Sequence, residues 1–199
     1  MNKKYENLTV YIVGPMEGDD EADSEFIKIE NALIASGIPI VQIFNPCKQE
    51  TKKTGFDVID SNKQIKKLRM LGKDDEVDNI YRNIWEVDIE NVRKADIIIA
   101  NIPPGTHYVG TTREITIATV LTSFDLIKDN WCGEDREFYE TTVRPGLKKL
   151  GFRTKPVYLI TASKTRINGS MIHGMVRPSG GGVFKCVGQL IDFLKEKYK

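Results

Sequence analysis

The sequence predicts an α/β fold with a mostly parallel sheet. Short β-branched apolar runs alternate with longer stretches whose apolar residues recur at helical spacing, and Gly or Pro closes several of them. The runs are nearly continuous in apolar character and too short for helices, the pattern of strands covered on both faces. Leu8-Thr9-Val10-Tyr11-Ile12-Val13 is the first strand and stops at Gly14-Pro15. Asp23-Ser24-Glu25 supplies a helix start, Phe26, Ile29, Leu33 and Ile34 keep the helical spacing, and Ser36-Gly37 ends it. Ile38 to Phe44 is the second strand, closed by Asn45-Pro46. Together these make a βαβ unit, whose strands are parallel and whose crossover is right-handed.

The middle of the chain is more polar. Val58, Ile65, Leu68 and Leu71 are spaced for a helix that Gly72 stops. Glu76 to Lys94 reads as a long amphipathic helix with Val77, Ile80, Ile84, Val87 and Val92 on an imperfect apolar face, flanked by Tyr81 and Trp85. The run from Ala95 to Ile102 is the third strand, and Thr111 to Ile127 is helical. Lys128 to Arg144 is a charged insertion with no clear periodicity. Pro156-Val157-Tyr158-Leu159-Ile160 is a further strand, and Val187, Leu190, Ile191 and Leu194 define a terminal helix over Lys185 to Tyr198. The Gly-rich stretch from Pro178 to Phe184 reads first as a structural loop and second as a ligand or subunit contact, because consecutive glycines permit close backbone approach without specifying its purpose.

At 199 residues and 40% hydrophobic content, a single domain over residues 1–199 is expected, with the charged insertion near 128–146. A net charge of +1, from 29 basic and 28 acidic residues, provides no overall field for nucleic acid or an anionic membrane. No apolar run approaches the length of a membrane span, and the start of the chain lacks a signal-peptide core, so a cytoplasmic protein is expected. Cys47, Cys132 and Cys186 are widely spaced and read as free thiols rather than a disulfide framework or zinc site. Lys48, Lys52, Lys53, Lys63, Lys66, Lys67 and Arg69 form a local basic belt, which reads first as a solvated face and second as a nucleotide-recruiting surface.

The segment from Pro103 to Ala118, PPGTHYVGTTREITIA, is the candidate active site. It follows the third strand, and in an open parallel sheet ligands bind beyond the carboxyl ends of the strands. It leads into a helix bearing one carboxylate close to its start, Glu114. From its position alone, Glu114 is either a reactive group or a cap for its own helix, where a first-turn carboxylate is favoured.

Several motifs stand in order along the chain: Val10-Tyr11-Ile12-Val13-Gly14-Pro15-Met16, then Asn45-Pro46, then Trp85-x-x-Asp88 with Ala95-Asp96, and finally Gly110-Thr111-Thr112-Arg113-Glu114 with Ala118. In this order, over residues 8–160, the chain resembles the nucleoside 2-deoxyribosyltransferase superfamily, which includes nucleoside 5′-monophosphate N-glycosidases. The resemblance implies a Rossmann-like (flavodoxin-like) three-layer sandwich and cleavage of the N-glycosidic bond of a (deoxy)nucleoside or its 5′-monophosphate. It gives Glu114 the place of the nucleophile, Tyr11 that of the residue orienting it, and Asp88 that of the helix aspartate that engages the base or a sugar hydroxyl. Gly14, Pro15, Met16, Asn45, His107, Gly110, Thr111 and Thr112 are the corresponding substrate-binding candidates. The chemistry suits a carboxylate, which can attack C1′ as an oxocarbenium-like transition state develops and hold the sugar as an ester.

One departure bears on the acceptor. Transferase members commonly carry an aspartate just upstream of the Gly-Thr segment, where this chain has Gly105-Thr106-His107-Tyr108-Val109. His107 either takes the proton role, since histidine titrates near neutrality, or is a surface loop residue. Base exchange is thereby in doubt and simple hydrolysis stays open. Arg113 and the amides at the helix start suit a monophosphate, whereas Asp19, Asp20, Glu21 and Asp23 make the first loop acidic, so nucleoside and nucleotide both remain. No metal or cofactor is expected. By analogy the chain forms a homo-oligomer in which the 170–184 stretch reaches a neighbour's site. The alternative from another class is a non-catalytic module that senses or sequesters a nucleotide in the same crevice.

Overall fold

The computed structural model describes residues 7–15, 20–48, 58–103, 109–127, 132–161 and 172–198. Five strands form one parallel sheet: β1 (Leu8–Val13), β2 (Ile40–Phe44), β3 (Ile97–Asn101), β4 (Val157–Ile160) and β5 (Gly182–Phe184), in the order β2-β1-β3-β4-β5. The register pairs Tyr11 with Phe44 on one side and Ile98 on the other, and β3 continues into β4 through Ile99 opposite Tyr158. Among the described residues eight α-helices accompany it: α1 (Asp20–Ala35), α2 (Val58–Met70), α3 (Asp74–Lys94), α4 (Val109–Ala118), α5 (Val120–Ile127), α6 (Gly133–Phe138), α7 (Arg144–Lys149) and α8 (Val187–Tyr198).

Alternation along the strands divides the core. On one face Val10, Ile12, Ile97, Ile99 and Tyr158 pack under α1 and α8 through Phe26, Ile29, Leu33, Leu190 and Leu194. On the other, Tyr11, Val13, Ile98, Ala100, Val157 and Leu159 pack against Val92 of α3 and Ile115 and Ala118 of α4. The result is the three-layer, Rossmann-like α/β sandwich that the sequence predicts. Strand order reverses its direction of growth between β1 and β3, so the crevice expected at a switch point opens where those two strands end.

The helices α2 and α3 form a hairpin closed by Ile65, Leu68, Val77 and Ile80. Gly72, at φ +66°, stops α2 as the sequence predicts, with the Lys73 amide donating back to the Leu68 carbonyl. Asp96 is structural: its carboxylate accepts from the Thr9 amide at 2.9 Å and from Arg153 at 2.5 Å, tying the starts of β1 and β3 together. No helix among the described residues is long and apolar enough to cross a membrane.

One expectation is corrected, and two stretches that the sequence leaves open take definite form. The helix over 111–127 is two helices that part at Thr119, whose hydroxyl donates to the Ile115 carbonyl at 2.8 Å. The charged insertion is helical from Gly133 to Lys149, with a π-helical segment at Tyr139–Val143 joining α6 to α7. Arg144 and the Tyr139 hydroxyl both bond Asp125, which fastens that helix to α5. The Gly-rich stretch contributes an edge strand, β5, and a Cβ added at Gly181 would lie 1.8 Å from the Val157 carbonyl oxygen. That close approach is the structural reason for glycine there.

Candidate active site

Three side chains from three elements meet beside the switch point. Tyr11 projects from β1, Asp88 from α3, which runs into β3, and Glu114 from α4, which follows β3. The Tyr11 hydroxyl is placed to donate to Glu114 Oε1 at 2.5 Å and to Asp88 Oδ1 at 2.9 Å. Tyr11 is fully buried and Glu114 is 7% exposed. A phenol carries one proton, so it serves one acceptor at a time, and the other contact is satisfied when that carboxyl is itself protonated and donates back.

The electrostatics agree with a shared proton. Burial raises the Glu114 carboxyl well above the ordinary glutamate range, the Asp88 charge raises it further, and the bond from Tyr11 opposes both. Burial likewise lifts Asp88 to about 6 against the Tyr11 bond. Burial, followed by the two neighbouring carboxylates, pushes the Tyr11 phenol well above its usual value, so it remains a donor. Two carboxyls separated by one phenol titrate as a unit.

The position of Glu114 bears on its reading as a helix cap. The first turn of α4 contains no acidic residue, and Glu114 lies one turn further in, so it does not cap its own helix. Its short bond is to Tyr11 instead.

No protein-family model and no curated protein matches the chain. Among solved structures, a 2-deoxyribosyltransferase from the psychrotolerant bacterium Bacillus psychrosaccharolyticus is similar with a TM-score of 0.54 and 15% identity, over 92% of this chain and 90% of that one. The likeness is one of fold.

The remaining candidates fall into distinct groups. Met16 and His107 lie outside the described residues. Gly14 ends β1 in close packing: an added Cβ would stand 2.8 Å from the Asn101 carbonyl oxygen and 2.9 Å from the Phe26 ring. Pro15 follows it, half-buried. Asn45 is buried and its amide donates to Glu30 Oε2 at 2.5 Å, while Lys48 bonds the other oxygen of Glu30 at 3.0 Å, so this amide ties the end of β2 to α1. Gly110 and Thr111 lie in the first turn of α4, and the Thr112 carbonyl accepts from the Thr116 hydroxyl at 2.8 Å. Thr111 is 1% exposed, and its hydroxyl has no hydrogen-bond partner among the described residues. It therefore does not cap α4. No group of three or more His, Cys, Asp or Glu side chains among the described residues is disposed to hold a metal ion.

An open cavity of about 510 Å³ adjoins this cluster, lined by Tyr81, Arg82, Ile84, Trp85 and Asp88 of α3 and by Arg113 of α4. Sequence reasoning singled out Trp85, Asp88 and Arg113 but gave no weight to Arg82. The available signal was its spacing, three residues before Trp85 and six before Asp88 on the same helix.

Proposed function

We propose that this protein cleaves the N-glycosidic bond of a (deoxy)nucleoside or its 5′-monophosphate, with Glu114 as the nucleophile. The observation that carries this reading is the buried Glu114 and the half-buried Asp88 joined through the Tyr11 hydroxyl beside the sheet's switch point. The motif order along the chain and the fold likeness to a 2-deoxyribosyltransferase support it.

In the first step a Glu114 carboxylate oxygen forms a bond to C1′ while the C1′–N bond breaks, and the departing base takes the bonding pair and a proton from the Asp88 carboxyl or from solvent. Tyr11 holds the attacking carboxylate in position. Asp88 engages a sugar hydroxyl or the base and supplies the second proton-bearing group. In the second step water or another base attacks C1′ and gives up its proton to the Asp88 carboxylate or to solvent, the ester bond breaks, and the Glu114 carboxylate is restored. Hydrolysis and base transfer differ only in that acceptor. A single-domain organisation and assembly into a homo-oligomer belong to the same proposal.

The test is incubation with a panel of deoxynucleosides and their 5′-monophosphates, with free base followed by chromatography and Glu114→Ala as the control. Release by the wild type and none by the variant supports the reading. Tight binding without release identifies a nucleotide-sensing module instead, and a variant that turns over at the wild-type rate removes Glu114 from the nucleophile's role.

A further inference from the structure

The rod formed by α6, the π-helical segment and α7 is held to the domain along one side only. Tyr139 is its one buried residue. The Tyr139 ring lies 5.6 Å from that of Phe124, and its hydroxyl and the Arg144 guanidinium both reach Asp125 of α5. Glu140, Val143, Arg144 and Leu147, which share that side, are half-buried. The other side is bare. Glu134, Phe138, Thr141, Thr142, Pro145 and Lys149 follow one another at helical steps, with the two threonines sharing the middle step, and all six are exposed, Phe138 at 60%.

Charge divides the rod at its middle. As far as Glu140 it carries Glu134, Asp135, Glu137 and Glu140 against one cation, Arg136; from Val143 onward it carries Arg144, Lys148 and Lys149 and no acid. Arg144 is engaged by Asp125, whereas Glu134, Lys148 and Lys149 form no ion pair among the described residues. Acidic residues at the start of a helix and basic ones at its end suit the helix dipole, which accounts for the signs. The dipole does not account for the order of the whole outer face. In either direction that face runs charge, apolar side chain, threonine, threonine, apolar side chain, opposite charge. Such a face is complementary to itself when turned end for end, as a two-fold contact requires.

Laid antiparallel, two copies set Thr141 of one against Thr142 of the other, Phe138 against Pro145 and Glu134 against Lys149, and the symmetry makes each contact twice. Asp135 meets Lys148 in the same register. The pairing takes the exposed Phe138 ring out of water and brings unlike charges together at both ends. A parallel arrangement would instead oppose Glu134 to Glu134 and Lys149 to Lys149, so the charges select one orientation.

We infer that the outer face of this rod is a contact surface for a second copy of the chain, the two rods lying antiparallel about a two-fold axis between Thr141 and Thr142. It gives the proposed homo-oligomer one of its interfaces. It does not depend on the glycosidase reading, since none of its residues lines the cavity at Asp88. From Glu134 to Lys149 the rod spans about 22 Å at the helical rise. The contact is therefore narrow and belongs to the weak, salt-sensitive class.

Sedimentation velocity of the full chain over a range of protein and salt concentrations tests this surface. The wild type is expected to associate at low salt and to dissociate as salt is raised. Glu134→Lys and Lys149→Glu, each alone, should weaken association roughly 10-fold or more, because each turns two attractive contacts into two repulsive ones. An equimolar mixture of these two variants should associate again, since Lys149 of one copy then faces Glu134 of the other and the two substituted positions attract in turn. Phe138→Ser leaves the charges alone and should also weaken association, with unchanged far-ultraviolet circular dichroism showing that the rod stays helical. A wild type that sediments as a monomer throughout, variants that associate like the wild type, or a mixture that does not recover would overturn the inference. Base release by the same wild-type protein distinguishes the two proposals. A monomer that releases base defeats the rod contact alone, and an assembly that recovers in the mixture without releasing base upholds the contact and defeats the glycosidase reading.

Discussion

The phenol oxygen of Tyr11 lies 2.5 Å from Oε1 of Glu114, across 103 residues of chain. Strand β1 fixes one partner and helix α4 the other, and both residues are buried, so the distance is set by core packing rather than by loop geometry. Removing the hydroxyl therefore tests positioning with little change of shape. Tyr11→Phe should lower kcat for base release by roughly 10- to 100-fold, the equivalent of one hydrogen bond to a charged group, with a smaller effect on KM. A loss confined to KM would mean that Tyr11 binds substrate instead of holding the nucleophile.

Burial of Glu114 makes its ionised form a burden on the native state. Its folded pKa is raised above the unfolded value, as is that of Asp88, which reaches about 6. The sign follows from proton uptake. Between the unfolded and folded values the native state holds more protons than the unfolded chain, so stability is fully present below the ordinary carboxylate range. It is lost as pH rises through about 6 for Asp88 and through the raised value of Glu114. Glu114→Gln removes that cost while keeping shape, so it should melt higher than the wild type at neutral pH, and the gap should close toward pH 4. Each pK unit relieved is worth about 1.4 kcal/mol, and each kcal/mol shifts the melting temperature of a chain this size by roughly 2–4 °C. A variant that melts lower at pH 8 would show that the carboxylate is needed for folding.

Much of this site is legible in the order of residues along the chain. Tyr11 sits in a run too apolar to be anything but a covered strand, and Glu114 follows a Gly/Thr turn at the end of another. Only the fold shows that Glu114 lies beyond the first turn of α4 and is not a cap. Other parts leave no periodic trace. The α6–α7 rod buries none of its α-helical residues, only Tyr139 of the π segment between them, so it carries no apolar stripe to read. Strand β5 has three residues and begins with glycine, too short for alternation to register. The break at Thr119 falls inside a run that keeps helical spacing on both sides, so spacing does not register it. Arg82 acquires meaning only when α4 brings Arg113 to the same cavity.

Asp88 acts on Glu114 through charge as well as through their common phenol. Its carboxylate is the second cause, after burial, that keeps the Glu114 pKa high. In the proposed mechanism Glu114 attacks C1′ as the carboxylate, so the acidic limb of a plot of kcat/KM against pH is expected to report that pKa. Asp88→Asn removes the negative neighbour, so the limb should move to lower pH even though the plateau falls. An unmoved limb would mean that a different group controls the acidic side.

Thr111 offers a test of a different kind, because its hydroxyl is buried without a partner among the described residues. An unsatisfied buried hydroxyl gives no stability, and an apolar group of the same shape replaces it at little cost or with a gain. Thr111→Val should melt at or slightly above the wild-type temperature. If the hydroxyl is reserved for substrate, the same variant raises KM for base release severalfold, whereas unchanged KM together with unchanged melting assigns it no role in binding.

Gly14 joins the fold to the site most directly. It follows Val13 at the end of β1, where an added Cβ would meet the Asn101 carbonyl oxygen of β3 at 2.8 Å and the Phe26 ring at 2.9 Å. The ring can rotate, but the carbonyl belongs to the strand and yields only if β1 and β3 move apart at the ends that frame the crevice. Gly14→Ala should therefore destabilise the protein by about 1–3 kcal/mol, as overpacking does. It should also lower base release by more than the loss of folded protein explains, because Tyr11 is three residues upstream on the displaced strand. Phe26→Leu in the same chain relieves the ring contact alone. It should recover part of the stability and little of the activity, and full recovery of both would place the clash at the ring rather than at the strand.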